Sequence, residues 1–189
     1  MTTSPTSKIE GNTITDLWTS NGGGIGILVG TRDGGTHGDN TIKKNKVEGT
    51  LFVYTADVGG YDGVGIVLFT DIPGPGDLTG NKIEGNKIDL ISDTPGTVNV
   101  NGIELTDGRP TSVLRGVISG NTVKKNKIGT IGGDGIVVTG SPGNTFEKNK
   151  IGTSGGAGIF DDTVGTGTGS TDNTYKKNKC DTSSPAGLC

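Results

Sequence analysis

Aromatic residues make up only 4% of this 189-residue chain, with one tryptophan, three tyrosines and four phenylalanines, and hydrophobic residues of every kind reach 29%. That is too little to fill the core of an ordinary β-sandwich or barrel. The cysteines number two, Cys180 and Cys189, and with no histidine near them they are too few ligands for a zinc site. No run approaches the roughly 18 apolar residues of a membrane span, and the opening MTTSPTSK has no apolar signal-peptide core, which predicts a soluble chain. An excess of one charge is missing as well: 17 basic against 20 acidic residues leave a net charge of -3, without the self-repulsion of a disordered chain.

What the sequence has instead is glycine, 37 in all, together with asparagine and threonine and without a collagen period. Residues tolerant of tight turns around a thin aliphatic column suit a solenoid. The pattern Asn-x-apolar-x-x-Asn-x-apolar recurs as DNTIKKNKV at 39–47, GNKIEGNKI at 80–88, GNTVKKNKI at 120–128, GNTFEKNKI at 143–151 and DNTYKKNKC at 172–180. A degenerate copy, SKIEGNTI at 7–14, has Ser7 in place of the first asparagine. Spacings between the second asparagines, Asn12, Asn45, Asn86, Asn126, Asn149 and Asn178, run from 23 to 41. A fixed minimum with elastic insertions describes a coil. Between copies lies Gly-apolar-x-apolar, as GIGILV at 24–29, GIVLF at 65–69, GIEL at 102–105, GIVV at 135–138 and GIF at 158–160.

Alternation within these segments predicts three short strands per coil and about six coils, with Ile42, Val47, Ile83, Ile88, Val123, Ile128, Phe146, Ile151, Ile66, Ile103, Ile136 and Ile159 pointing inward. The second asparagine of each copy is assigned to a corner between strands, where it would accept a left-handed backbone and bond through its amide to the asparagine of the next coil. Cys180 and Cys189 sit close enough in sequence for a disulfide to tie down the last turn, against the alternative of free thiols. A disulfide would imply an oxidising compartment, hence a secreted or cell-surface protein.

The phrase GNTVKKNKIGTIGGDGIVV resembles the right-handed parallel β-helix repeat of pectate-lyase-like proteins, mannuronan epimerases and NosD-type periplasmic proteins, and the likeness spans residues 7–180. It implies an all-β, right-handed parallel β-helix forming one domain over 1–189, with 181–189 folded over the last coil. The N-terminal end enters in mid-coil without a capping helix, so it is expected either to continue a longer helix or to pair end to end with another chain, with Leu17 and Trp18 as partial cover. Such folds host lyases, hydrolases, epimerases and non-catalytic surface proteins, so the resemblance specifies architecture rather than activity.

Most of the basic residues lie in the asparagine motifs. The outward position after the second asparagine is lysine in Lys46, Lys87, Lys127, Lys150 and Lys179, flanked by Lys43, Lys44, Lys124, Lys125, Lys148, Lys176 and Lys177. Such a stripe matches a linear polyanion, an acidic polysaccharide before a nucleic acid, since the aromatic interleaving of single-strand binding is missing. The competing reading is a solvated face: lysines one strand apart repel by only about 0.9 kcal/mol in water. The outward threonines Thr41, Thr122, Thr145 and Thr174 make a single column, one short of an ice-binding ladder.

Acids follow the glycine-apolar strands: Asp71 in GIVLFTD, Asp107 in GIELTDGR, Asp161 and Asp162 in GIFDD, with outward Glu104 and nearby Arg109. The resemblance implies that a groove along this strand would use calcium-binding acids and a basic residue for a lyase, or paired aspartates for a hydrolase. On that reading Asp71, Asp107, Asp162 and Arg109 are the catalytic candidates and calcium the candidate cofactor. The full hydrolase motif set and the epimerase Asp-Pro-His-Asp are both missing, and turn-capping aspartates are the plain alternative. Tyr54 and Tyr61, in the insertion LFVYTADVGGYDG, and the loop at 89–101 are placed to wall a groove. His37, the lone histidine, falls in a glycine-rich loop expected to be exposed. Leu28, Phe69, Val137 and Phe160 would lie outward on the same strand as a sugar-stacking or partner surface, or beneath covering loops. Two function classes remain: a secreted protein that binds an acidic polysaccharide, with cleavage or epimerisation as its enzymatic form, and a non-catalytic structural or adhesive module.

Overall fold

The computed structural model describes residues 6–19, 24–31, 35–53, 63–70, 76–93, 100–106 and 117–189. Strands of two to eight residues cannot bury an apolar face alone, so each stacks on its counterpart one coil away, and the pairings are parallel. Three ladders result. The first holds Lys8–Glu10, Thr41–Lys43, Lys82–Glu84, Thr122–Lys124, Thr145–Glu147 and Thr174–Lys176. The second, called here the lysine sheet, holds Thr13–Thr19, Lys46–Val53, Lys87–Ser92, Lys127–Ile131 and Lys150–Ile151. The third, the glycine sheet, holds Ile25–Thr31, Gly63–Thr70, Val100–Thr106, Ile136–Thr139, Ile159–Asp161 and Ser183–Ser184. The expected stack of about six coils is present.

Three strands per coil is an undercount for part of the stack. A short ladder of Thr36–Gly38, Asp77–Thr79 and Ile118–Ser119 precedes the first asparagine of three coils. His37 stands on its first strand, in register with the buried Leu78, and is half-buried rather than exposed on a loop. Two-residue strands such as Ile118–Ser119 are too short for alternation to reveal them.

The inward positions read from alternation form the core. Ile42, Ile83, Val123 and Phe146 make one column, Val47, Ile88, Ile128 and Ile151 a second, and Ile66, Ile103, Ile136 and Ile159 a third, all buried. Facing the second column, Gly26, Gly65, Gly102, Gly135 and Gly158 stack in register, and a Cβ on Gly135 would lie 2.5 Å from the Gly158 carbonyl and 2.6 Å from Ile151. The wall of isoleucines reaches the opposite backbone, and only glycine leaves room for it.

At the corners the asparagines turn inward. Asn45, Asn86, Asn126, Asn149 and Asn178 are buried, and each Oδ1 accepts both the backbone N–H and the Nδ2 of the asparagine 33, 41, 40, 23 and 29 residues earlier, at 2.9 to 3.1 Å. Each Nδ2 also donates to a core carbonyl, as Asn126 does to Ile83 at 2.9 Å. The left-handed residue is not the asparagine, as expected, but the one before it: Lys44, Lys125, Lys148 and Lys177 at φ 54 to 55, with Gly11 and Gly85 at the same place in other coils. Turning the preceding residue left-handed is what points the amide into the stack. A second ladder, unforeseen in the sequence, links Asn40, Asn81, Asn121 and Asn144 in the same way, while Asn144 reaches Asn173, and Ser7 reaches Asn40, through the backbone N–H alone.

The C-terminal end is closed. Cys180 and Cys189 form the expected disulfide, Leu188 is buried over the last coil, and its carbonyl accepts from Asn178. Phe146 and Tyr175 stack at 4.7 Å beneath it. At the N-terminal end Leu17 joins the core, but Trp18 does not cover it: Trp18 points out and is 70% exposed.

Candidate functional site

The lysine sheet begins directly after each inward asparagine, so its first outward position is fixed by the corner. Register places Lys46, Lys87, Lys127, Lys150 and Lys179 in one column with Thr13 at its foot. The spacing is that of parallel strands, about 4.8 Å. Beside it the corner lysines Lys44, Lys125, Lys148 and Lys177 form a broken second row.

The basic stripe of the sequence is divided by its neighbours. On the first ladder Glu10, Lys43, Glu84, Lys124, Glu147 and Lys176 stand in register as one column of alternating sign. Lys43 pairs with Glu10 at 3.2 Å, Lys124 and Lys125 with Glu84 at 3.5 and 3.6 Å, and Lys148 with Glu147 at 2.6 Å. The Lys148 ammonium holds the Glu147 carboxyl below the usual glutamate range, as Lys8 does for Glu10. Those lysines are neutralised. In the lysine column itself, Glu48 pairs with Lys46 and reaches Lys87 at 3.9 Å. Farther along, glycine takes the place of the acid two positions on: Gly129 after Lys127 and Gly152 after Lys150. Lys127, Lys150, Lys177 and Lys179 therefore have no carboxylate partner among the described residues, and all four are exposed. Lys44, at an early corner, is exposed and likewise without a carboxylate partner among the described residues, but within the column itself the open part is the C-terminal half.

The acid candidates divide differently. Asp71, Asp107, Arg109, Tyr54 and Tyr61 lie outside the described residues. Asp162 is exposed, and its Oδ1 accepts the Gly140 N–H at 2.8 Å across one coil. Asp161 points inward, in register with Val138, and is buried. It accepts from Thr163, Asn173 and Tyr175 at 2.6 to 2.9 Å. That carboxylate closes the end of the core rather than facing a groove, and burial together with its hydrogen bond raises the Tyr175 phenol far above its ordinary value. No group of three or more His, Cys, Asp or Glu among the described residues is placed to hold a metal ion. Asp162 keeps its second oxygen exposed, and the other acids of the calcium set implied by the resemblance, Asp71 and Asp107, lie outside the described residues.

On the outer face of the glycine sheet the apolar set splits. Leu28, Val67, Glu104, Val137 and Phe160 share one column, and Gly30, Phe69, Thr106 and Thr139 the next. Asn101 donates to Glu104 at 2.6 Å, and its own Oδ1 accepts from the Asp134 backbone at 2.8 Å. Asn101, Glu104, Thr106, Asp134, Val137 and Thr139 border a shallow open depression ending at Phe160.

A family model described as a right handed beta helix region matches residues 74–188, more than half of the chain. The chain belongs to the right-handed β-helix family. No curated protein and no solved structure matches it. The match covers the coils whose corners carry the open lysines, so this part of the β-helix and its candidate face coincide. No helix among the described residues is long and apolar enough to cross a membrane.

Proposed function

We propose that this β-helix binds a linear acidic polysaccharide along the lysine column of its C-terminal coils, in an oxidising, secreted or cell-surface setting. The observation that carries the reading is the in-register run Lys127, Lys150, Lys179 without acid partners among the described residues, where the preceding coils carry them. Rigid strands hold the ammonium groups at one repeat, so a polymer with regularly spaced carboxylates or sulfates meets several at once, with little ordering cost to the protein. The corner adds support. Lysine occupies a left-handed position that Gly11 and Gly85 fill in other coils without steric penalty, so architecture alone gives no reason for lysine there. Lys46 and Lys87 extend the column, and Tyr54 and Tyr61 are the further candidates for contact with the polymer.

Catalysis is a further part of the proposal, with Asp71, Asp107, Asp162 and Arg109 as its residues in a lyase, epimerase or hydrolase. The alternative is a non-catalytic form, a binding or adhesive module. One experiment separates them: polygalacturonate, alginate and heparin are titrated at low and high salt, with product formation followed with and without calcium. Binding that weakens steeply with salt, and by roughly tenfold or more in a Lys127→Glu, Lys150→Glu, Lys179→Glu variant, is the expected result. If no polymer binds at low salt, the reading fails.

A further inference from the structure

The lysine sheet changes character toward its N-terminal coils. There Trp18 and Phe52 stand in register with their rings stacked 4.6 Å apart at 23°, and Trp18 is 70% exposed. A single exposed hydrophobic residue is ordinary on a protein surface. This one is held in a fixed orientation by a second ring, and it adjoins a concavity. Two positions before Phe52 on the same side of the strand, Thr50 opens an outward trough of about 610 Å³, within the size of ordinary small-ligand clefts, roughly 300 to 1,000 Å³.

The polar lining of the trough is made of acceptors and hydroxyls. Asp16 and Asp89 each commit one oxygen to a backbone N–H of the neighbouring coil, to Thr50 at 2.9 Å and to Thr130 at 3.1 Å. Those bonds fix the two carboxylates, and their second oxygens have no partner among the described residues. Glu48 lies between them, tied to Lys46. A ring platform beside fixed acceptors fits a ligand with an apolar face and hydroxyl donors on its rim. The carboxylates would repel an anion, which separates this trough from the open lysines Lys127, Lys150 and Lys179 farther along the same sheet.

We propose that the Trp18–Phe52 pair and the adjoining trough form a subsite for a neutral oligosaccharide running across the strands, one sugar ring lying against the indole and the hydroxyls of its neighbours donating to Asp16 and Asp89. The site stands apart from the polyanion reading, and either can fail without the other. Trp18 is the one tryptophan of the chain, so its fluorescence reports the site directly. The full chain is titrated with cellohexaose, xylohexaose and mannohexaose, following tryptophan emission and, in parallel, heat of binding at low and high salt. At least one of the three is expected to give a saturable blue shift with an affinity insensitive to salt. Trp18→Ala should weaken that binding by about tenfold or more, Trp18→Phe should keep part of it, and Asp89→Asn should weaken it. The Lys127→Glu, Lys150→Glu, Lys179→Glu variant should bind the neutral sugar unchanged, which keeps this test distinct from that of the lysine column. Because Trp18 is exposed, unchanged melting of Trp18→Ala will show that the fold is intact. The proposal is overturned if none of the three sugars changes the emission saturably, if Trp18→Ala binds as tightly as the parent, or if galacturonate oligomers give the stronger tryptophan response.

Discussion

At Lys125 the backbone stands at φ 55, where an L side chain costs roughly 1 to 2 kcal/mol, while the next residue, Asn126, has its amide fully engaged inside the stack. The pair makes opposite predictions at adjacent positions. Lys125→Gly relieves the strain and loses part of that gain to unfolded-state entropy, so chemical denaturation should show a stability rise of about 0.5 to 1 kcal/mol. Asn126→Ala strands the donors of Asn86 and the Ile83 carbonyl and leaves Asn149 Oδ1 with only the backbone N–H, and should cost about 3 to 4 kcal/mol. A stabilised Asn126→Ala would sink the ladder as a source of stability. Tyr175 supplies a pH dependence. Its folded phenol is raised above the ordinary value of 10.0 by burial and then by Asp161, whereas in the unfolded chain it ionises normally. Its contribution is therefore complete below pH 10 and is lost as pH rises above it. Denaturation midpoints taken from pH 8 to 11 should fall less steeply in Tyr175→Phe than in the parent.

The glycine sheet shows what a single element demands. Its column of glycines faces the isoleucines of the lysine sheet so closely that Gly135→Ala would bring a methyl group into the Gly158 carbonyl and Ile151. A loss of about 2 to 3 kcal/mol in urea unfolding is expected, and a neutral result would show that the coil can widen. The motif Gly-apolar-x-apolar was plain in the sequence because its alternation is strict. Which glycine counts was not: in GIGILV, register shows that Gly26 joins the column, since Ile27 rather than Ile25 pairs with Ile66. Likewise the sequence marks the corner asparagines, yet the left-handed residue beside them is lysine, a choice set by where the amide must point and invisible to residue preference.

Across the whole molecule, the closed C-terminal end governs how the stack comes apart. The nine-residue separation between Cys180 and Cys189 encloses a small loop, and removing both thiols by serine substitution should cost about 2 to 3 kcal/mol. Hydrogen exchange should then accelerate first in Thr174–Lys176, ahead of Thr41–Lys43, because Leu188 no longer seals the last coil. Coil number, core columns and disulfide were all legible, since each rests on local spacing. The division of the basic stripe was not. Whether Lys124 faces Glu84, or Lys127 faces no carboxylate among the described residues, depends on insertions of unequal length between coils, which only three-dimensional register resolves.

The alternating column from Glu10 to Lys176 gives the stack a parity. Excising one coil, such as that of Lys124, would set Glu84 against Glu147, whereas excising two neighbours would restore opposite signs across the seam. Growth or shrinkage of this rod by duplication or deletion is thus favoured in even steps, a rule written in charge on one face while the uniform lysine column on the next imposes no such count.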